Sequence, residues 1–330
     1  MSLFRMTCSS IIPRTIIRTH LRTLTEEAPR ARRADLLARQ KLSGKQPTFK
    51  ERMMAPAGES AFNAGKIALA GGSAVGIALL CYYGLGMSGQ ASLADRAMMW
   101  PEYVRTRIRD TYSYLAASLG VTAGAAYGVS RSPQLMSFFM RAGWMPMIVS
   151  MVAIIGTGML ARSIPYENTA VKHAAWLLHA ATIGAMIAPL TLLGGPVMMR
   201  AAMYTAGIVG GLSTVAACAP SDKFLMMGGP LAIGLGVVFA ASLGSAFLPP
   251  TTALGAGLYS ISMYGGLLLF SAFLLYNTQR VVRAAEMIPP DGYGVRKYDP
   301  INAMMAIYMD IINIFVRMAA LLAGGGNRRR

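Results

Sequence analysis

The sequence predicts an all-α membrane protein, a polytopic helical bundle. Three observations predict it. Residues of the AVILMFWYC set make up 54% of the 330-residue chain, charged residues make up 14%, and the mean hydropathy is +0.46. A soluble core does not need so much apolar residue with so little charge to cover it. Beyond residue 66, eight apolar runs follow one another, each near the ~20 residues a helix needs to cross hydrocarbon. Nearly all of the net charge of +17 lies outside those runs. An ordinary cytosolic enzyme and a disordered polycation are both excluded.

The amino-terminal fifth is basic. Residues 1–66 hold thirteen Lys/Arg and five Asp/Glu. Within them Met1 to Thr25 carries Arg5, Arg14, Arg18 and Arg22, no acid, and many Ser and Thr. Arg14, Arg18 and Arg22 recur every four residues and share a helical face, with Ile16, Ile17, Leu21 and Leu24 largely on another. Arg-rich, hydroxyl-rich, acid-poor and amphipathic is the pattern of a mitochondrial transit peptide, placed over 1–45. A secretory signal would need an unbroken apolar stretch of about 7–15 residues, and Ile11-Ile12 and Ile16-Ile17 are too short. A basic, disordered tail is the competing reading. Residues 46–66 read as a basic linker, and the near absence of aromatics argues against nucleic acid as a partner.

The apolar runs are 67–87, 112–130, 145–161, 174–193, 201–219, 224–248, 256–276 and 303–323. Charge, Gly or Pro marks the joints: Arg105 to Asp110, Arg131 to Pro133, Arg162 to Pro165, Gly194 to Pro196, Ser221 to Lys223, and Pro249-Pro250. Backbone polar groups in lipid need internal partners, so helices are the expected form. Gly72/Gly76, Gly120/Gly124 and Gly207/Gly211 are small-xxx-small pairs that let helices approach closely. The stretch 324–330, ending in Arg328, Arg329 and Arg330, is a basic tail.

Only the last run holds an acid at its centre, Asp310. A carboxylate there costs about 2.5–3.5 kcal/mol on insertion scales, so it should face the bundle interior or an aqueous cavity. That makes Asp310 a candidate for proton exchange or cation coordination. The alternative is a structural pair with Arg317 or Arg280. Asn313, three residues on, can join the same site. Asp299-Pro300 supplies an N-cap and a Pro at the first helical position, and Gly324-Gly325-Gly326 supplies a stop. Upstream, Asn277-Thr278-Gln279-Arg280 ends the seventh run, either as a helix emerging into water or as a cavity lining. The first of these two is slightly favoured. His173 and His179 are six residues apart and do not share a helical face for a metal. No nucleophile–base set appears, so the expectation is that the chain is not an enzyme and has no resident cofactor.

Leu275-Tyr276-Asn277-Thr278-Gln279-Arg280, Tyr298-Asp299-Pro300-Ile301-Asn302 and Ile307 to Phe315 (IYMDIINIF) resemble the transmembrane Bax-inhibitor-motif family. That family carries Tyr-Asp-Thr-Gln on one helix and Tyr-Leu-Asp-x-Ile-Asn-Leu-Phe on the last. Tyr204 to Pro220, Gly244 to Thr252 and Gly325 to Arg328 bring the chain closest to its mitochondrial branch, over about Asp110 to Arg330.

The resemblance implies a seven-helix Bax-inhibitor-like membrane domain over 112–323, with 67–87 as one additional N-terminal transmembrane helix. It implies a pH-sensitive Ca²⁺ path governed by two facing aspartates, with Ca²⁺ and H⁺ as transported ions. It also implies the mitochondrial inner membrane, a role in cristae organisation and apoptosis control, and a membrane AAA protease and cytochrome c as partners besides lipid. One family aspartate maps onto Asp310, so Asp310 and Asn277 become the Ca²⁺ candidates. The other maps onto Asn277, which offers an oxygen but no charge and cannot titrate. An arginine gate partner is implied too, with Arg162 and then Arg317 as candidates. The leading expectation is therefore Ca²⁺/H⁺ exchange around Asp310. The alternative is a non-transporting structural or interaction protein, to which the missing carboxylate would be harmless.

Overall fold

Helices account for the regular structure, as a chain with long apolar runs must arrange in lipid. The structure, a computed structural model, describes residues 48–56, 58–84, 92–140, 144–220, 223–249, 251–289 and 297–326. The expected transit peptide over 1–45 and the Arg328 to Arg330 tail lie outside the described residues. In chain order the helices are α1 (Phe49–Met54), α2 (Glu59–Gly84), α3 (Leu93–Met98), α4 (Glu102–Ser130), α5 (Pro133–Met140) and α6 (Trp144–Ser163). There follow α7 (Thr169–Ile187), α8 (Gly195–Cys218), α9 (Gly228–Phe247), α10 (Ala253–Ser260), α11 (Gly266–Met287) and α12 (Pro300–Gly326). Over its described residues, each of the eight predicted runs falls on helix. Among the described residues six stretches are long and apolar enough to cross a membrane: Phe62–Tyr83, Thr169–Leu193, Gly195–Cys218, Leu225–Phe247, Ala253–Met287 and Pro300–Gly324. A shorter apolar helix covers Ile148–Ser163. The molecule is a helical membrane bundle.

Helix ends follow local chemistry. Ser92 and Thr48 cap α3 and α1 in reciprocal boxes with Asp95 and Glu51. The turn from α7 into α8 passes a 3-10 stretch, Ala188–Leu193, and pivots on Gly194 at φ 90°, which a residue with a Cβ rarely adopts. Pro196 then opens α8, where a missing N–H costs nothing. α10 and α11 form one continuous rod through a π-turn at Ile261–Gly265.

α12 is the axis. It packs against α11, α4 and α8, and Ile301, Ile307, Tyr308 and Ile314 are almost wholly buried among Leu115, Trp176, Ile183, Leu267 and Leu274. The outward faces of α2, α6 and α9 keep Ile67, Val75, Val152, Ile155, Ile233 and Val237 exposed, the surface lipid would cover.

α4 differs from its predicted run. It begins at Glu102, ten residues earlier than 112, because its first turns are amphipathic rather than apolar. Val104, Thr111, Leu115, Ser118, Thr122 and Ala126 form one buried stripe at helical spacing. The hydroxyls on that stripe serve their neighbours. Thr111 meets the Tyr298 hydroxyl at 2.8 Å, Ser118 accepts from the Trp176 indole at 2.8 Å, and Thr122 meets the Tyr308 hydroxyl at 2.6 Å.

Between α4 and α7 the close approach is at Gly184, not at Gly120 and Gly124, around which a Cβ would meet nothing; of the other expected pairs Gly72 is crowded by Leu268, while Gly76, Gly207 and Gly211 are open. A Cβ on Gly184 would run into the Thr122 carbonyl and lie 2.7 Å from the Ala125 methyl. Those are backbone and short side chains that cannot swing away. Gly184→Val is therefore expected to destabilise by about 1–3 kcal/mol or more, read as a lower unfolding midpoint in detergent. Gly120→Val should leave the midpoint unchanged, and equal effects would refute this packing.

Candidate functional site

Two helices bring the family motifs together. α12 starts at Pro300, and Asp310 lies ten residues in, about 15 Å along the axis, or half a hydrocarbon thickness. α11 continues past residue 276 to Met287, so Asn277, Thr278 and Gln279 sit inside the helix and are buried. This corrects the favoured reading that they mark emergence into water. The apolar run ends there, but the helix does not, because each amide finds an internal partner. Gln279 accepts from the Phe224 N–H and donates to the Pro220 carbonyl, both at 2.8 Å. Asn277 donates from Nδ2 to Asp310 Oδ2 at 2.7 Å.

Asp310 is 4% exposed, and among the described residues no salt bridge reaches it. A buried carboxylate with one amide donor is under-compensated compared with a paired one. Neither arginine weighed as a structural partner supplies the charge. Arg317 turns away: its Nε donates to the Ser262 carbonyl at 3.0 Å, and its Nη1 donates to Asn313 Oδ1 at 2.8 Å. The π-turn presents that Ser262 carbonyl, and Gly266 leaves the room the guanidinium occupies. The guanidinium also lies 4.7 Å from the Phe270 ring centroid. Asn313, expected beside Asp310, thus orients Arg317, and its own Nδ2 donates to the Met309 carbonyl.

Arg162, the other gate candidate, stands at a different place. It lines a cavity of about 290 Å³ together with Asn277, Arg280, Lys297, Tyr298, Asp299 and Asn302. Ala303 and Ala306 of α12 also line it. These are about two turns and one turn, respectively, before Asp310 on its helix, so the cavity descends to Asn277, the group that shields the carboxylate.

The largest feature the sequence reading missed is the anchor of α12. Lys172, in the predicted joint between two runs, has no exposure at all. Its Nζ lies 2.7 Å from Asp299 Oδ2 and donates to the carbonyls of Ala161 at 2.7 Å and Ile164 at 3.0 Å, and to Asn302 Oδ1 at 3.0 Å. Asp299 also caps α12 as predicted, accepting from the Asn302 N–H at 2.9 Å. Nothing in the sequence around Lys172 signals this burial, since a lysine between two apolar runs is ordinarily solvated. Arg107 does similar work at the other motif helix, donating to the Ala285, Ile288 and Pro289 carbonyls at the end of α11.

A family model described as "Inhibitor of apoptosis-promoting Bax1" matches residues 104–328, more than half of the chain. The chain belongs to the Bax-inhibitor family. It is 57% identical over 286 residues to growth hormone-inducible transmembrane protein of Rattus norvegicus, covering 86% of this chain and 82% of that one. It is 23% identical over 246 residues to Bax inhibitor 1 of Oryza sativa subsp. japonica, covering 73% and 89%. An uncharacterized protein of Helicobacter pylori (strain J99 / ATCC 700824) is 27% identical over 218 residues, covering 65% and 85%. No solved structure matches. The Bax-inhibitor match spans α4 to α12 and therefore includes both motif helices and the Lys172–Asp299 anchor. α2 precedes it. Among the described residues no group of three or more His, Cys, Asp or Glu could hold a metal ion, so the pair at Asp310 and Asn277 carries one carboxylate.

Proposed function

We propose that this Bax-inhibitor family member is a cation transporter that exchanges Ca²⁺ for H⁺ at Asp310. The observation that carries the reading is the buried Asp310 carboxylate, about half a hydrocarbon thickness along its helix, held among the described residues by the Asn277 amide alone, with Asn277 lining a cavity. A structural carboxylate at that depth would be paired, since an unpaired one weakens the fold. Ca²⁺ ordinarily takes about 6–8 oxygen ligands, and one carboxylate with one amide supplies few. Such a site suits passage rather than storage. Asp310 would release its proton to bind the cation and regain it when the cation leaves, with the amide oxygen of Asn277 as a neutral second ligand after rotation.

We place the protein in the mitochondrial inner membrane, on the Arg-rich, acid-poor residues 1–45. Roles in cristae organisation and apoptosis control, and contact with a membrane AAA protease or cytochrome c, belong to the same proposal. A second reading, a structural or interaction protein that moves no ion, is favoured by one observation. The cavity leading to Asn277 is lined by Arg162, Arg280 and Lys297, which repel a divalent cation.

Reconstitution decides between them. Full-length protein in liposomes under a pH gradient should drive Ca²⁺ flux, and Asp310→Asn should abolish it. Absence of flux in the wild type would sink the transporter reading. Equal flux in both would sink the proposed site.

A further inference from the structure

The first turns of α4 carry an acid and an aromatic ring on one face. Asp110, Tyr114 and Ala117 recur at helical spacing, and with Ser113, Tyr166 and Trp176 they line a cavity of about 430 Å³. Small-molecule sites commonly have volumes of about 300–1,000 Å³. Three elements meet there: α4, the joint between α6 and α7 that holds Tyr166, and α7, which holds Trp176. The rings of Tyr114 and Trp176 have centroids 5.4 Å apart and planes 85° apart, so they form a corner rather than a stack. Their polar atoms are already engaged. The Trp176 indole N–H donates to Ser118 Oγ at 2.8 Å. His173 Nδ1 lies 2.6 Å from the Thr169 carbonyl, which can only accept, so the neutral ring carries its proton there. Its Nε2 therefore accepts from the Tyr114 hydroxyl at 2.7 Å, and the Tyr114 oxygen is left for the Tyr166 hydroxyl at 3.4 Å. Asp110 brings negative charge to this corner. Arg109 Nε lies 3.6 Å from its Oδ1, but that pair is exposed, and exposed pairs contribute little. The charge is felt at Tyr166. Burial first, then the Tyr114 hydroxyl and the charges of Asp110 and Asp299, push the Tyr166 phenol well above its ordinary range, so it stays neutral.

We propose that this cavity binds a quaternary ammonium group between the rings of Tyr114, Tyr166 and Trp176, with Asp110 as its counter-charge. A cation is drawn to the negative face of an aromatic ring, and more strongly as water is removed. The engaged polar atoms favour a quaternary ammonium over a primary one. A primary ammonium brings three N–H donors that each need an acceptor, whereas the ring hydroxyls and the indole are already paired. A trimethylated nitrogen has no N–H to satisfy, and its methyl groups pack against ring faces. Aromatic side chains are common where a membrane meets water, with their polar tips at the headgroup level. Trp176 departs from that pattern, being buried with its indole N–H held by Ser118. The level of the cavity points to the source of the ligand. The apolar runs 112–130 and 174–193 begin beside it, and the run 145–161 ends just before Tyr166, which is the depth of lipid headgroups. The carrier is either a phosphatidylcholine headgroup or a small free quaternary ammonium ion. Nothing in this binding depends on transport at Asp310.

The test uses full-length protein and the variants Asp110→Asn, Tyr166→Leu and Tyr166→Phe in a maltoside detergent, with unfolding midpoints measured to show that all are folded. Tetramethylammonium chloride is titrated calorimetrically at constant ionic strength. In a second arm, micelles carry equal amounts of phosphatidylcholine and phosphatidylethanolamine with matched acyl chains, and native mass spectrometry reads which lipid is retained. Saturable tetramethylammonium binding without a lipid preference supports a free ion. Retention of phosphatidylcholine over phosphatidylethanolamine supports the headgroup, since the two lipids differ only in the methyl groups on nitrogen. In either case Tyr166→Phe should keep the binding, because the ring remains, while Asp110→Asn and Tyr166→Leu should weaken it about tenfold or more. Binding of neither probe by the wild type, or binding left intact by Asp110→Asn or Tyr166→Leu, overturns the proposal. Loss in Tyr166→Phe equal to that in Tyr166→Leu would assign the binding to the hydroxyl and overturns it as well.

Discussion

Lys172→Met is expected to lower stability by about 3–5 kcal/mol, the largest loss of any single change outside the Asp310 pair. The lysine is buried without exposure, and Asp299, its partner, is nearly so. Removing the ammonium leaves a carboxylate in a dry site and strips a donor from the carbonyls of Ala161 and Ile164 and from Asn302. An uncompensated buried charge costs far more than the pair contributes when intact. The damage falls on one joint: α6 ends at Ser163, α7 begins at Thr169, and α12 begins at Pro300. One ammonium ties all three helix ends. Lys172→Met/Asp299→Asn removes both charges and should recover most of the loss, because no ion is then left unpaired. Unfolding midpoints of full-length protein in detergent measure both variants. A single variant as stable as the wild type would show that the ion pair does not form, and a double variant no better than the single would assign the loss to packing alone.

How far the sequence carried the structure depended on whether the signal was local. Hydropathy over about 20 residues is local, and over their described residues all eight runs fall on helix. The Asp299 cap is local as well, since Asp-Pro before an apolar run has few other meanings. The meeting of Asn277 with Asp310 was legible only through motif resemblance, because nothing in their spacing of 33 residues implies contact. The end of α11 was misread for a physical reason. Polarity at Asn277, Thr278 and Gln279 looks the same whether water or a neighbouring helix satisfies it. The true partner of Arg317, weighed only as an alternative mate for Asp310, is not legible in the sequence because backbone carbonyls exposed by a π-turn carry no composition of their own. The hydroxyl stripe on α4 was equally silent. Thr111, Ser118 and Thr122 become informative only once Tyr298, Trp176 and Tyr308 are seen opposite them. Lys172 was hidden by its setting in a joint, where a lysine is ordinarily solvated.

Asn277→Asp is expected to change both how much cation the protein moves and how pH governs it. The variant sets two carboxylates where an amide now donates to one across 2.7 Å. Two such groups in a dry site cannot both stay ionised, so they share a proton and titrate as a coupled pair. A cation that binds the pair must displace that proton and gains a second charged ligand. Each charge-assisted contact is stronger than its neutral counterpart, so Ca²⁺ affinity should rise about tenfold or more. On acidification the pair takes up a second proton, so flux into liposomes should fall off more steeply at low pH than in the wild type, where a single carboxylate titrates. The swap variant Asn277→Asp/Asp310→Asn separates the pair from either residue alone. It keeps one carboxylate and one amide, so it should transport with the wild-type pH dependence. If it is as inactive as Asp310→Asn, the carboxylate is needed on α12 and the pair is not the binding unit. If Asn277→Asp leaves flux and its pH profile unchanged, the amide plays no part in ion handling, and a helix-to-helix tie in a non-transporting protein becomes its remaining role.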